Sequence, residues 1–137
     1  MERPRILPLI LMTMLIPLAG LASGTGPQAD QTMTVTRDYN GKEITVALGS
    51  IFEVRLQQHA GTGYLWQIVD LDENHLKVLQ STETPLSQKP ILGGPLLRTW
   101  RIEAVKAGQT TLKILLYRSW EGPEKAVERF HVKIQIR

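Results

Sequence analysis

The chain has 137 residues, of which 42% are hydrophobic and 21% charged, a balance typical of one globular domain with a short additional segment. It contains no cysteine, which excludes disulfide bonds and a thiol nucleophile. The formal net charge is +3, and basic residues are interspersed with acidic ones, so no basic surface for nucleic acid is indicated.

The first 22 residues are predicted to form a secretory signal peptide. Arg3 and Arg5 precede an apolar run over residues 6–18, and small residues follow that run. Two prolines interrupt the run, and it is shorter than the roughly 20 apolar residues of a spanning helix. An uncleaved anchor is therefore the weaker interpretation. Cleavage after Ala22 or Gly24 fits the small residues, which predicts a periplasmic or secreted protein with no stable membrane anchor.

Residues 31–137 are predicted to form the folded domain, after a flexible polar lead-in over residues 23–30. Alternation of apolar and polar residues indicates eight strands, at 32–37, 43–48, 51–56, 64–69, 76–80, 98–105, 110–117 and 127–136. The last strand has the clearest period of two, because Phe130, Val132 and Ile134 alternate with polar residues. Helical periodicity is absent from this region, so the sequence predicts an all-β domain.

The strand spacing and turn residues predict an immunoglobulin-like antiparallel β-sandwich. Ile51, Val54 and Leu56 are expected to approximate the buried face of the third strand. Trp66, in the middle of the fourth strand, is expected in the core. Asn40-Gly41 is a type I′ turn signal, so the first two strands are predicted to form a hairpin.

Three long connections are expected at one end of this sandwich. If successive strands run in opposite directions, alternate connections lie at the same end, and these are residues 57–63, 81–97 and 118–125. The other end receives short turns. Long loops on a compact domain are more often functional than structural, which favours a binding end. Within the middle connection, residues 82–88 are interpreted as a solvated crossover between the two sheets.

Each long connection carries a short motif: Gly61-Thr62-Gly63-Tyr64 in the first, Gly93-Gly94-Pro95-Leu96 in the second, and Arg118-Ser119-Trp120 followed by Gly122-Pro123 in the third. In this order and spacing the motifs resemble the chagasin-like family of inhibitors of papain-type cysteine proteases, over nearly the whole mature chain. The resemblance implies an inhibitor whose three loops wedge into a protease cleft, with no catalytic activity of its own. The residues it places at the protease are Gly61, Thr62, Gly63, Tyr64, Gly93, Gly94, Leu96, Arg118 and Trp120.

The chain departs from the family signatures in each loop. Those signatures are Asn-Pro-Thr-Thr-Gly-aromatic, Gly-x-Gly-Gly, and Arg-Pro-Trp followed by Thr-Gly-Pro. Here His59 and Ala60 replace Asn-Pro, Leu96 and the proline before it replace glycines, and Ser119 replaces a proline. Losing two prolines is expected to loosen the first and third loops. The departures motivate an alternative hypothesis, an immunoglobulin-like binding or adhesion module with a non-protease ligand.

The resemblance gives individual residues expected roles, and some have structural alternatives. Thr62 lies between glycines that permit a close backbone approach, so it is expected nearest the protease thiolate, although it is equally suited to an ordinary turn. Trp120 is expected to be exposed and to stack on the cleft rim, the alternative being a plug over the sandwich end. Arg118 either buttresses its own loop or reaches an acidic group on the protease. Tyr64 is interpreted as a core aromatic, and Leu96 either contacts the protease or starts the next strand.

Nothing in the sequence predicts catalysis or a cofactor. His59, His75 and His131 lie in separate segments without zinc-ligand spacing. No nucleophile elbow, phosphate-binding loop or dinucleotide fingerprint is present. The expected partner is therefore a papain-like cysteine protease, bound by a monomer that needs no metal.

Overall fold

The computed structural model describes Gly20 and residues 31–89 and 91–137. The strands within them are β1 (Met33–Val35), β2 (Glu43–Val46), β3 (Ile51–His59), β4 (Tyr64–Val69), β5 (Leu76–Pro85), β6 (Pro95–Ala104), β7 (Gly108–Arg118) and β8 (Glu128–Ile136). They form two four-stranded sheets, with strand orders β1-β3-β6-β5 and β2-β8-β7-β4. The predicted all-β sandwich of eight strands is confirmed.

The predicted signal peptide and lead-in lie outside the described residues, apart from Gly20. Residues Gln31–Arg137 form one compact unit. In the part of the chain that the structure describes, no helix is long and apolar enough to cross a membrane.

The first two strands do not form the predicted hairpin. β1 pairs in parallel with β3, and β2 pairs in parallel with β8, so the sandwich is antiparallel except at these two edges. A type I′ turn needs positive φ at both central residues, whereas Asn40 has φ −57° and only Gly41, at +78°, is positive. The chain instead passes through a 3-10 turn (Arg37–Tyr39) and crosses from one sheet to the other.

The core lies between the two sheets and is built from alternating inward residues. On β3 the buried row is Phe52, Val54 and Leu56, whereas Ile51 is only half-buried, so the predicted face is wrong at its first residue. Trp66 is buried as expected, and Trp100 joins it in the core. The regular alternation along β8, from Phe130 to Ile136, closes the second sheet against the first.

β5 ends later than predicted, at Pro85 instead of residue 80, and β6 begins earlier, at Pro95 instead of residue 98. They pair as a hairpin as far as Pro85 opposite Leu96, with a bulge between Val78 and Gln80. Both strands belong to the same sheet, so the expectation of a crossover between sheets is wrong. The sequence does not predict the outer part of β5, because residues 81–85 are exposed and mostly polar. They therefore lack the alternation that marks a half-buried strand.

Three loops connect the strands at the end of the sandwich that the longest strands reach. We name them loop 1 (residues 60–63, between β3 and β4), loop 2 (residues 86–94, between β5 and β6) and loop 3 (residues 119–127, between β7 and β8). Loop 3 contains a second 3-10 turn (Pro123–Lys125). Loops 1 and 2 are shorter than the sequence predicts, because β3, β5 and β6 continue further towards them, whereas loop 3 is about as long as predicted.

Candidate functional site

Loop 1 is a tight turn whose conformation depends on two glycines. Gly61 and Gly63 both have φ +79°, a left-handed backbone that side chains disfavour. Between them, Thr62 uses its own hydroxyl to close the turn. Its Oγ1 donates to the carbonyl oxygen of His59 at 3.1 Å and accepts from the N–H of Tyr64 at 3.2 Å. Thr62 is therefore a turn residue, and it is also exposed at the tip.

Loop 2 contacts loop 1 through backbone atoms. The N–H of Ala60 donates to the carbonyl oxygen of Gly94 at 3.0 Å. A Cβ added to Gly61 would lie 3.8 Å from the Cα of Gly93, so the two backbones approach closely there. The N–H of Gly94 in turn donates to the carbonyl oxygen of Ile91 at 3.0 Å, which closes the end of loop 2. The glycines of the two motifs therefore meet, at the end of the sandwich where the sequence predicts that these loops lie.

Loop 3 contacts loop 1 from the other side, through Trp120. The indole is 70% exposed, as expected, yet one edge of it lies on Gly63. A Cβ added to Gly63 would fall 2.3 Å from Cη2 of Trp120, a distance that real Cβ atoms do not reach. Trp120 is therefore not a plug over the core. It stands beside the tip of loop 1 and presents its remaining surface to solvent.

Arg118 holds loops 1 and 3 together. Its Nε–H donates to the carbonyl oxygen of Thr62 at 3.1 Å. The guanidinium carbon lies 4.4 Å from the centre of the Tyr64 ring and 5.7 Å from that of Trp120, within the range of cation–π attraction. The expected buttress of its own loop is seen in the contact with Trp120, and the bond to Thr62 extends it to loop 1. A contact with an acidic group of the protease stays a prediction. Tyr64 is half-buried beneath Arg118 and outside the core, so its interpretation as a core aromatic is wrong.

Leu96 is a predicted site residue that makes none of the contacts between the loops. It lies within β6, half-buried and opposite Gln58, so it starts the strand as its structural alternative proposed. Loop 2 presents other apolar side chains instead. Leu92 is fully exposed, and Ile91 and Leu86 are more than 45% exposed. Sequence reasoning missed them, although two leucines and an isoleucine in a proline-bounded, glycine-containing loop are a usable signal.

The assembled end presents three kinds of surface. Loop 1 contributes a narrow backbone ridge around Thr62, loop 3 exposes the aromatic Trp120 beside it, and loop 2 exposes the aliphatic Leu92. Among the described residues, no group of three His, Cys, Asp or Glu side chains is placed to hold a metal ion. Exposed apolar groups around a rigid ridge are suited to binding a concave surface of another protein.

Comparison with known proteins agrees with this arrangement. The model of the chagasin family of peptidase inhibitors, I42, matches residues 45–134, which include all three loops. Chagasin from Trypanosoma cruzi is 26% identical over 105 residues, covering 74% of this chain and 94% of that protein.

Solved structures share the fold. A cysteine protease inhibitor from Entamoeba histolytica superposes with a TM-score of 0.69 at 21% identity, covering 77% of this chain and 96% of that one. PbICP-C, solved in complex with falcipain-2, gives a TM-score of 0.56 at 20% identity, covering 78% and 92%. The family consists of inhibitors, not enzymes. The chain belongs to the chagasin family of peptidase inhibitors.

Proposed function

We propose that this chain is a reversible, competitive inhibitor of papain-like cysteine proteases, and that it inserts loops 1, 2 and 3 into the active-site cleft. The observation that carries the proposal is the direct contact of all three loops at one end, through Ala60 with Gly94, Arg118 with Thr62, and Trp120 with Gly63. Membership of the inhibitor family and the relatives that inhibit cysteine proteases support it.

Loop 1 has the features of an insert that blocks a cleft without being cleaved. Attack by a thiolate needs a substrate carbonyl at the correct distance and angle, with its oxygen free to enter an oxyanion hole. The carbonyl oxygen of Thr62 is instead already engaged, since it accepts the Nε–H of Arg118. Because the Thr62 hydroxyl also closes the turn, the ridge cannot extend into the conformation that a protease cleaves without breaking these bonds.

The contacts between loops also supply rigidity where the family prolines are missing. A loop that is ordered before binding loses less conformational entropy in the complex. Ala60, in place of proline, has a free N–H and donates it to Gly94 of loop 2. Ser119, also in place of proline, lies between Arg118 and Trp120, both of which contact loop 1. At Ala60, a cross-loop hydrogen bond therefore takes the place of the local restriction that a proline would give.

The test is a titration of papain with residues 23–137, using a fluorogenic peptide substrate. We expect substrate-competitive inhibition, and the inhibitor recovered after long incubation should have its intact mass. The double variant Thr62→Arg and Trp120→Ala should inhibit far less, while its circular dichroism spectrum stays that of a β protein. Undiminished inhibition by the folded double variant, or progressive cleavage of the wild-type loop, would contradict the proposal.

We also propose that the protein is exported after cleavage of residues 1–22 and acts as a monomer in the periplasm or outside the cell. The support is the charged and then apolar N-terminal sequence. N-terminal sequencing of protein from the periplasm or medium should begin near Ser23, and light scattering should give the mass of one chain. Recovery of uncleaved chain in the membrane fraction would contradict export as a free protein.

A further inference from the structure

Gln58 is a buried polar residue directly beneath the loops. Its exposed fraction is 2%, and among the described residues Thr110 is the other buried polar residue. It continues the inward row of Phe52, Val54 and Leu56 on β3, where an apolar side chain would simply extend the core. A buried amide group has lost its hydration, so both of its ends require hydrogen-bond partners.

The two ends of the Gln58 amide reach strands of different sheets. Oε1 accepts the backbone N–H of Trp66, in β4, at 3.1 Å. Nε2 donates to Oε1 of Glu83, in β5, at 3.3 Å. β4 is an edge strand of one sheet, whereas β3 and β5 belong to the other. A single side chain therefore links the two sheets at the level where the loops begin.

The same neighbourhood closes the base of loop 1. The indole Nε1–H of Trp66 donates to the carbonyl oxygen of Gln57 at 2.9 Å. Trp66 is thus bound to two consecutive residues at the end of β3, through its side chain and through its backbone. Loop 1 lies wholly between these anchor points. Its ends are held together by Trp66 and Gln58 rather than by strand pairing, because β3 and β4 belong to different sheets.

Glu83 carries the link to loop 2. Its Oε1 also accepts from Nη1 of Arg98, which lies directly opposite it in the β5–β6 hairpin. The Arg98 guanidinium is placed in turn over the ring of Trp100, 5.5 Å from its centre. Loop 2 is the end of this hairpin. The pairing of β3 with β6 joins the β3 end of loop 1 to this hairpin. The contacts from Trp66 through Gln58 to Glu83 and Arg98 join the β4 end of loop 1 to the same hairpin.

We infer that Gln58 is a positioning residue for inhibition: its amide fixes loop 1 relative to the hairpin that carries loop 2, so that the loops enter the cleft as one unit. The inference rests on the proposed function for its effect on inhibition. The pairing of His59 with Pro95 and the Ala60–Gly94 bond already join the β3 end of loop 1 to loop 2. Gln58 acts on the other end of loop 1, where β4 begins, through its bond to Trp66. Without Gln58 the loops should still fold, but with a broader range of relative positions, which weakens binding.

The test compares three variants of the chain. Gln58→Met keeps the volume of the side chain and removes both hydrogen bonds, and we expect its inhibition constant for papain to rise about tenfold. Gln58→Glu places a carboxylate against Glu83 and should also weaken inhibition. Adding Glu83→Gln to that variant exchanges the acid and the amide and restores each hydrogen-bond partner, but it moves the negative charge from beside Arg98 to the buried position 58. It should therefore recover part of the inhibition that Gln58→Glu loses.

Thr110→Val is the matched control. Thr110 is the other buried polar residue, and its hydroxyl donates to Asp72 rather than to any residue of the loops. This variant should lower the melting temperature much as Gln58→Met does, without changing the inhibition constant. Hydrogen–deuterium exchange supplies a second readout. Gln58→Met should speed exchange of the amides in loops 1 and 2, and Thr110→Val should not.

The outcomes separate this inference from the proposed function. If the wild type inhibits papain and Gln58→Met inhibits equally well, or if the exchanged pair fails to recover inhibition, the positioning role is overturned while the function stands. If the wild type does not inhibit, the proposed function fails. Hydrogen–deuterium exchange in the loops then decides the inference. Faster exchange of the loop amides in Gln58→Met, but not in Thr110→Val, supports it, and the same rate as in the wild type overturns it. If Gln58→Met does not fold, the double variant Gln58→Glu with Glu83→Gln decides.

Discussion

At the scale of single residues, Gly63 combines two constraints that make it the most sensitive position of loop 1. Its φ of +79° is left-handed, and its missing side chain leaves room for the edge of Trp120. Gly63→Ala should displace the indole and move loops 1 and 3 apart. We expect the inhibition constant for papain to rise about tenfold or more, because Trp120 is a candidate hot spot. The shift of tryptophan fluorescence should report the displaced indole.

Gly49→Ala is the control that separates the cost of a left-handed backbone from the steric clash with Trp120. Gly49 has nearly the same φ, +81°, but a Cβ there would meet no atom within 4 Å. It lies in the turn between β2 and β3. Both variants should lose about 1–2 kcal/mol of stability to the left-handed backbone, and only Gly63→Ala should lose inhibition. Equal inhibition by the two variants would show that Trp120 does not depend on Gly63.

Leu92 is the apolar residue of loop 2 that folding does not require. Because its side chain is fully exposed, Leu92→Ser should leave the melting temperature unchanged. If Leu92 packs on the wall of the cleft, the same change should weaken inhibition by about 1–2 kcal/mol, the value of burying such a side chain. Leu48→Ser is the control, since Leu48 is 52% exposed in the turn between β2 and β3. Inhibition unaffected by Leu92→Ser would exclude this contact.

At the scale of elements, the sequence predicts strands wherever one face is buried. β4 is predicted at its observed bounds, and β8 within one residue at its start, because their buried faces show in the pattern. The outer part of β5 is not predicted, since its residues are exposed on both faces. The parallel pairing of β1 with β3 and of β2 with β8 could not be predicted either, because strand alternation does not indicate which strands become neighbours.

Asn40 explains why a strong hairpin signal gives another structure. Its Oδ1 accepts the N–H of His131 at 3.0 Å, and its Nδ2 donates to the carbonyl oxygen of Arg129 at 3.2 Å. The Asn40 side chain thereby extends the pairing with β8 beyond the start of β2. Asn40→Ala should lower the free energy of unfolding in urea by about 1–2 kcal/mol.

The control for Asn40→Ala is Asn74→Ala, because the side chain of Asn74 makes no hydrogen bond in the part of the chain that is described. This second asparagine lies in the connection between β4 and β5, where only its backbone N–H is bonded, to Asp72. Asn74→Ala should leave the free energy of unfolding almost unchanged. Equal, small losses in both variants would mean that the Asn40 side chain does not stabilise the β2 edge.

At the scale of the whole molecule, the two ends of the sandwich have different tasks. The sequence predicts the clustering of the loops from strand alternation, and the contacts of Thr62 with Arg118 and of Ala60 with Gly94 confirm it. It does not predict the polar link at the other end. There Asp72 accepts from Nδ1 of His75 at 2.7 Å and from Oγ1 of Thr110 at 3.0 Å, which ties the β4–β5 connection to β7.

This link predicts how global stability depends on pH. Partial burial by itself raises the pKa of Asp72, but hydrogen bonds from Thr110 and His75, the charge of His75 and the Asn74 amide outweigh it, so the pKa lies below its ordinary value of 3.8. The folded state therefore favours the ionised carboxylate. Its stabilisation is present above the unfolded pKa and is lost as pH falls through the lower, folded pKa.

The measurement is urea unfolding from pH 7 down into the range below 3.8, for the wild type and Asp72→Asn. The wild type should be more stable at neutral pH, and the difference should shrink as pH falls, because a protonated Asp72 resembles the asparagine. Asp38→Asn, at an exposed position, is the control. Inhibition at neutral pH should be unchanged in Asp72→Asn, because Asp72 lies at the end away from the loops. A stability difference that stayed constant with pH would show that the Asp72 charge does not link the β4–β5 connection to β7.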